Sequence, residues 1–262
     1  MTRSPDKYYN ARILDRRDIS ADLCILRVDP GGSLEYRAGQ YATLGIERDG
    51  LRTERAYSMV SSPYEEALEF FVELVPHGGL TPGLFQLQPG ETLLCRKIAK
   101  GRFTLDLRSG RTNHLLISTV TGIAPFVSYV RTVYSDWKSG ANLMPGMHRF
   151  FCLQGASHSF EFGYREELER YASETPWLQY VPTVSRPWDN PQWTGEIGRV
   201  DDLLRKYTET WNLRPDETTA YLCGHPKMIE NSRGILQRAG WKKDAILEEA
   251  YFQVAKEASA SV

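Results

Sequence analysis

His114-Leu115-Leu116-Ile117-Ser118-Thr119-Val120-Thr121-Gly122-Ile123-Ala124-Pro125-Phe126-Val127-Ser128-Tyr129-Val130 is where the chain changes its rhythm. His114 to Val120 is an apolar run of strand length, and small residues follow it. A proline then stands at the first position of an apolar stretch, residues 124–137, with helical spacing. Beyond this point strand and helix patterns alternate. Strand-like runs cover 148–155, 177–186 and 219–224, and helix-like runs cover 163–172, 199–207 and 226–240. Such alternation predicts a doubly wound α/β domain with a parallel sheet. Before His114 the pattern is different. Short runs at 8–14, 22–28, 40–47, 68–75 and 91–98 are separated by DPGG, DG, HGG and QPG, the punctuation of an antiparallel sandwich or barrel. The composition shifts at Ser109–Asn113, so the chain is expected to divide into a β-barrel domain, 1–108, and an α/β domain, 109–262.

The 262 residues are 41% hydrophobic and 25% charged, with a formal net charge of -1, which reads as a globular protein with a sizeable core. Nothing in that balance creates a field for nucleic acid or membrane, and no basic stripe or nucleic-acid motif is present. The start, MTRSPDKYYNARILDRRD, lacks the apolar stretch of a secretory signal, and nowhere do 18 apolar residues run together. A cytoplasmic protein is expected. Cys24, Cys95, Cys152 and Cys223 are too widely spaced for a metal or iron–sulfur signature, and no metal site is expected.

Four short segments carry chemistry. Arg55-Ala56-Tyr57-Ser58 combines a guanidinium for a diphosphate, an aromatic ring for a flat heterocycle and a small hydroxyl. In His77-Gly78-Gly79-Leu80-Thr81 the glycines allow a close turn around an anion, and the Leu80 and Thr81 amides with the Thr81 hydroxyl open a short helix. Ser185-Arg186 and Arg199 offer a hydroxyl and two guanidinium forks after a strand end, suited to phosphate. Cys223-Gly224-His225-Pro226-Lys227-Met228 ends the last obvious strand with a small thiol and a glycine. Read alone, each has a plainer alternative: a strand end with a buried tyrosine, a turn before a helix, solvated arginines, a structural cysteine.

Taken together, RAYSMVSSP (55–63), LEFFVELVPHGGLTPGLFQLQPGETLL (68–94) and KGRFTLD (100–106) resemble, in order and spacing, the FAD-binding Greek-key barrel of the ferredoxin–NADP reductases. The likeness runs from about Asp6 to Tyr251 and is strongest to the bacterial branch that serves ferredoxin or flavodoxin. It implies FAD held by Arg55 and Ala56, stacked on Tyr57, with Ser58 near flavin N5. The backbone of Val72-Glu73-Leu74 would lie along the flavin, Gly79, Leu80 and Thr81 would take its phosphates, and Thr121 would touch both cofactors. NADP(H) would rest on Thr121 and Gly122, on Ser185, Arg186 and Arg199 through its 2′-phosphate, and on Cys223, Gly224, Pro226 and Met228 through its nicotinamide. The catalytic set implied is Ser58, Cys223, Glu249 and Tyr251, with Tyr251 covering the flavin and Phe252 in a tail folding toward adenine; Cys223 has no paired base and is not read as a nucleophile. Two departures stand out: Val120 where the family has the first glycine of GTGxAPF, and Ser157 where an arginine often follows HGA. The activity implied is electron transfer from NADPH, by hydride to flavin N5, to ferredoxin or flavodoxin, in a monomer. Arg52, Arg55, Arg96, Lys97, Lys100 and Arg102 are candidates for steering an acidic carrier. A reductase of free flavin or quinones and a non-catalytic nucleotide-binding module are the alternatives.

Overall fold

A computed structural model describes residues 7–48, 50–141 and 148–251. The first half is one antiparallel sheet built from β1 (Tyr8–Asp18), β2 (Leu23–Asp29), β3 (Tyr41–Arg48), β4 (Leu51–Ser58), β5 (Leu68–Glu73) and β6 (Thr92–Arg96), in the order β4-β3-β6-β1-β2-β5. Just beyond β4 the Val60 amide donates to the Glu69 carbonyl of β5 at 2.8 Å, so the two edges curl toward each other. Period-two alternation fills the interior: Ala11 and Ile13 from β1, Leu26 and Val28 from β2, Ala42 and Leu44 from β3, Phe70 and Val72 from β5. The one-turn helix α1 (Thr81–Leu84) closes one side with Leu80 and Leu84 buried.

The second half is a parallel sheet in the order β10-β9-β8-β7-β11-β12. Its strands are β7 (Asn113–Thr119), β8 (Arg149–Ala156), β9 (Leu178–Val184), β10 (Glu196–Ile197), β11 (Thr218–Gly224) and β12 (Ile246–Ala250). The helices are α2 (Ala124–Ser139), α3 (Arg165–Glu174), α4 (Leu204–Thr210) and α5 (Pro226–Arg238). Two differences from the sequence reading matter. α4 begins only at Leu204, because Arg199 to Leu203 form turns that carry Arg199 to the strand ends. β12 is a strand that the glutamate-rich ILEEA does not announce; it is held by parallel pairing with β11, Cys223 opposite Glu249. Chain order reverses between β7 and β11, and at such a switch point the strand ends diverge into a crevice.

The halves share one core. Leu23, Ile25, Phe71 and Phe103 of the barrel pack with Phe126, Tyr129, Tyr164 and Tyr221 of the α/β half. Tyr129 donates to the Phe103 carbonyl at 2.7 Å and Ser128 to that of Ser61 at 2.7 Å, satisfying polar groups in that core.

At the opposite end of the parallel sheet from the crevice, His114 is fully buried, with Nε2 2.8 Å from His148 Nδ1 and Nδ1 3.1 Å from the Tyr221 hydroxyl. Burial, helped by His148 and opposed by Asp106, pushes the His114 imidazole down to about 3. In the unfolded chain it protonates near its ordinary value of 6.5. Its contribution to stability is therefore complete above that value and is lost as pH falls toward 3, at up to about 1.4 kcal/mol per pH unit. Urea unfolding of the parent and of His114→Phe is expected to show a shallower pH dependence for the variant between about pH 6 and 4.5. Parallel curves would assign the acid sensitivity elsewhere.

Candidate active site

The end of β4 and the loop into α1 enclose a cavity of about 670 Å³, within the usual range for a nucleotide-sized ligand. Arg55, Ala56, Tyr57 and Ser58 form one wall, Gly79, Leu80 and Thr81 a second, and Glu73, Thr121, Glu249 and Tyr251 a third. Tyr41, opposite Ser58 in the β3–β4 register, and Phe71 complete the lining with no motif to announce them. Ser58 Oγ donates to Glu249 Oε1 at 2.7 Å, joining barrel to C-terminal strand across 191 residues. Burial raises the Glu249 carboxyl above its ordinary range, and the Ser58 hydrogen bond opposes that shift. Burial also raises the Tyr57 phenol, which stays neutral.

Some expectations for this wall change. The Thr81 hydroxyl is engaged by the Val75 backbone, accepting from its amide at 2.9 Å and donating to its carbonyl at 3.1 Å, so it fixes the loop instead of facing a ligand. Val72 points into the barrel core, and Leu74 gives its amide to the Asp22 carbonyl; Glu73 alone of that trio lines the cavity. Gly78 has no left-handed backbone; a Cβ there would crowd Val75 and Thr81 at 3.1 to 3.3 Å, so the glycine supplies space.

A second cavity, about 280 Å³, lies in the crevice at the switch point. Thr119 ends β7 with Val120 and Thr121 after it, Gly155 and Ala156 end β8 with Ser157 after them, and Ser185 follows β9. Arg199, Asp201, Gly224, His225 and Met228 close it. The His225 amide donates to Thr119 Oγ1 at 2.9 Å, and His225 Nδ1 accepts from the Lys227 amide, capping α5 behind Pro226. Four expected contacts are not in this lining. Arg186 is exposed, Pro226 begins α5, and the Cys223 side chain is buried in the shared core; Gly122 supports the wall from behind. Asp201, nearly fully buried, accepts from Asn231 at 2.8 Å and lies 3.5 Å from Arg199, a pairing invisible in the sequence. The two cavities share Glu73, Thr121 and Tyr251. The Tyr251 hydroxyl is buried beside Ser58 and Cys223 with no partner at hydrogen-bonding geometry among the described residues. That orphaned donor, the aromatic and guanidinium wall, and the cavity volume fit a flavin in the larger cavity. Phe252 lies outside the described residues.

Of the six candidate steering cations, two stand in ion pairs among the described residues. Arg96 donates to Glu54 through Nε at 2.7 Å, and Arg52 pairs with Glu47 at 3.0 Å while stacking 4.4 Å from the Tyr8 ring centre.

Residues 10–104 match the family model of the oxidoreductase FAD-binding domain and residues 116–234 that of the oxidoreductase NAD-binding domain. The ferredoxin–NADP reductase of Azotobacter vinelandii is 31% identical over 245 residues, covering 84% of this chain and 89% of that protein. The flavodoxin/ferredoxin–NADP reductase of Escherichia coli K12 is 31% identical over 206 residues, 76% of this chain and 78% of that protein. Among solved structures, a ferredoxin NADP+ reductase from Neisseria gonorrhoeae with bound FAD and NADP superposes with a TM-score of 0.81 at 23% identity, covering 94% of this chain and all of that one, a likeness of fold. The barrel is thus an FAD-binding domain and the α/β half an NAD(P)-binding domain. Matched along both halves and by relatives of 31% identity over most of its length, the chain belongs to the ferredoxin–NADP reductase family of oxidoreductases.

Proposed function

We propose that this protein moves electrons between NADPH and a small one-electron carrier, ferredoxin or flavodoxin, with the domains taken as 1–108 and 109–262. The observation that carries this reading is the wall of Glu73, Thr121 and Tyr251 common to both cavities, because ring-to-ring transfer needs two cofactors in contact. FAD, when bound, supplies the exchange between a two-electron nucleotide and a one-electron carrier. Arg55 would neutralise its diphosphate, Tyr57 would stack on one face of the ring system and Tyr251 would cover the other, excluding water. Tyr251 must shift for a nicotinamide to take its place. Ser58 and Glu249 hold an exchangeable proton at the same wall, Glu249 Oε1 accepting from Ser58 Oγ at 2.7 Å.

Ser185 and Arg199, which line the crevice, would take a 2′-phosphate and favour NADPH. With Arg186 outside the cavity, and the Ser157 amide given to Glu161 at 2.6 Å, the preference over NADH is expected to be modest. Lys97, Lys100 and Arg102 would steer an acidic carrier, an effect that fades with salt. Monomeric action is part of the proposal.

The purified protein with FAD should bleach its flavin absorption on anaerobic addition of NADPH at lower concentration than NADH, and then reduce an added ferredoxin or flavodoxin. Equal turnover with free flavin and no gain from a carrier would make it a free-flavin reductase. A bound flavin blind to both nucleotides would overturn the reading. Ser58→Ala is expected to slow flavin reduction on the order of 10²-fold, the usual size of one proton-handling group. It should also flatten the pH limb set by Glu249, a limb lying above the ordinary carboxylate range because burial raises that group. A stopped-flow pH profile unchanged from the parent would remove the pair from the chemistry.

A further inference from the structure

Among the described residues only Val120 and Asn212 combine a side chain with positive φ, 42° and 50°. Asparagine tolerates that region, whereas a β-branched side chain there is held against its own preference. The fold imposes the conformation. The next turn is pinned where Gly122 meets β11: a Cβ on Gly122 would lie 2.3 Å from the Cys223 carbonyl oxygen. The fold does not impose valine, and glycine would take the same path without strain.

The rest of this wall is built small, from Thr119, Thr121, Gly155, Ala156, Ser157 and Gly224. Val120 lines the same cavity as Ser185 and Arg199, and as Thr121 and Tyr251, which also line the larger cavity. Its side chain packs on the buried cluster of Ala156, Phe162 and Val184 and on the core shared by the two halves. The cavity it narrows measures about 280 Å³, against about 670 Å³ for its neighbour. Strained residues that persist at such a place tend to have a positional use.

We propose that Val120 is a specificity-determining residue that restricts entry of the nicotinamide half of the dinucleotide while leaving the adenosine half untouched. The proposal rests on the nucleotide reading above. Its consequence is that NADP+ gains less over its adenosine fragment than the length of the crevice allows.

Two variants separate bulk from strain. Val120→Ala removes the isopropyl group but keeps a Cβ in the left-handed region; Val120→Gly removes both. Calorimetric titration with NADP+ and with 2′,5′-ADP, which lacks the nicotinamide, reads the binding. Both variants should bind NADP+ about tenfold tighter, the scale of a small apolar group in a pocket, and 2′,5′-ADP within twofold of the parent. In nucleotide-free melts Val120→Gly should exceed Val120→Ala in Tm, the reverse of the usual order for these residues. Unchanged NADP+ affinity in both variants, or equal tightening of 2′,5′-ADP, would overturn the restriction. An alanine variant more stable than the glycine one would show that position 120 is not held left-handed and overturn it too. Parent protein that binds neither nucleotide would remove the NADP(H) reading itself and this proposal with it.

Discussion

Arg131→Ala is expected to lower stability by about 3–5 kcal/mol, the range seen when one partner of a buried ion pair is removed. Arg131 lies on α2 with its side chain only 14% exposed, between carboxylates from both domains. Nε and Nη2 donate to the two oxygens of Glu167 on α3 at 2.7 and 2.9 Å, and Nη2 also reaches Glu69 of β5 at 2.9 Å. Glu65, more exposed, stands 3.5 Å away, and the Tyr164 hydroxyl donates to Glu69 at 3.0 Å. Burial alone would weaken the positive charge, but the three carboxylates outweigh it and hold the guanidinium firmly protonated. Without it, Glu69 and Glu167, both only partly exposed, lose the guanidinium that joins them, and each domain contributes one of them. Arg131→Lys should recover only part of the loss, since one ammonium cannot span a fork to Glu167 and a contact to Glu69 together. Urea unfolding of the two variants measures both effects, and a loss under 1 kcal/mol for Arg131→Ala would demote the cluster to ordinary surface pairing.

None of that cluster is visible in the sequence, where Glu65, Glu69, Arg131 and Glu167 read as separate surface charges. What the sequence shows well is local. The alternation in the barrel strands and the strand-then-helix rhythm after His114 follow from burying one face of a strand or helix, and both sheets appear where the pattern places them. The Arg55–Ser58 wall was legible through its resemblance, together with residues 68–94 and 100–106, to a known FAD-binding barrel; read alone, its four residues also suit a strand end with a buried tyrosine. Long-range placement was not. Glu249 meets Ser58 through the pairing of β12 with β11, and ILEEA has little strand propensity of its own. Local pattern also sets side-chain direction. Period two in β5 puts Phe70 and Val72 on one face and Phe71 and Glu73 on the other, so of Val72 and Glu73 it is the Glu73 side chain that lines the cavity. Cys223 lies in register with Ser118 and Glu249, its side chain in the shared core, while the following glycine meets the crevice.

Gly122→Ala should destabilise somewhat less than the loss of Arg131, for a different reason, but should harm nucleotide binding more. Gly122 has no left-handed backbone requirement; what it lacks is room. A Cβ there would lie 2.3 Å from the Cys223 carbonyl oxygen, 2.7 Å from its carbon and 2.8 Å from the Gly224 Cα. All three are backbone atoms, so no flexible side chain can swing aside. Overpacking of a rigid site costs about 1–3 kcal/mol, and with backbone on both sides the upper end is expected. The strain would be relieved by parting the ends of β7 and β11, which breaks the bond from the His225 amide to Thr119 Oγ1 and separates Thr121 from Gly224. Those residues line the crevice, so NADP+ affinity should fall by more than 100-fold, the scale on which misplacement of about 1 Å disrupts a site. Gly234→Ala serves as the opposite case. That glycine lies within α5, and its added Cβ would meet only the far end of the Arg238 side chain at 3.3 Å. Helix propensity then dominates, and stability should rise by about 0.5–1 kcal/mol with nucleotide binding unchanged. Melting curves and NADP+ titrations on the two alanine variants read the difference directly. If Gly122→Ala bound NADP+ within threefold of the parent, the two strand ends would have slack, and the close apposition at the switch point would not be what shapes the nucleotide site.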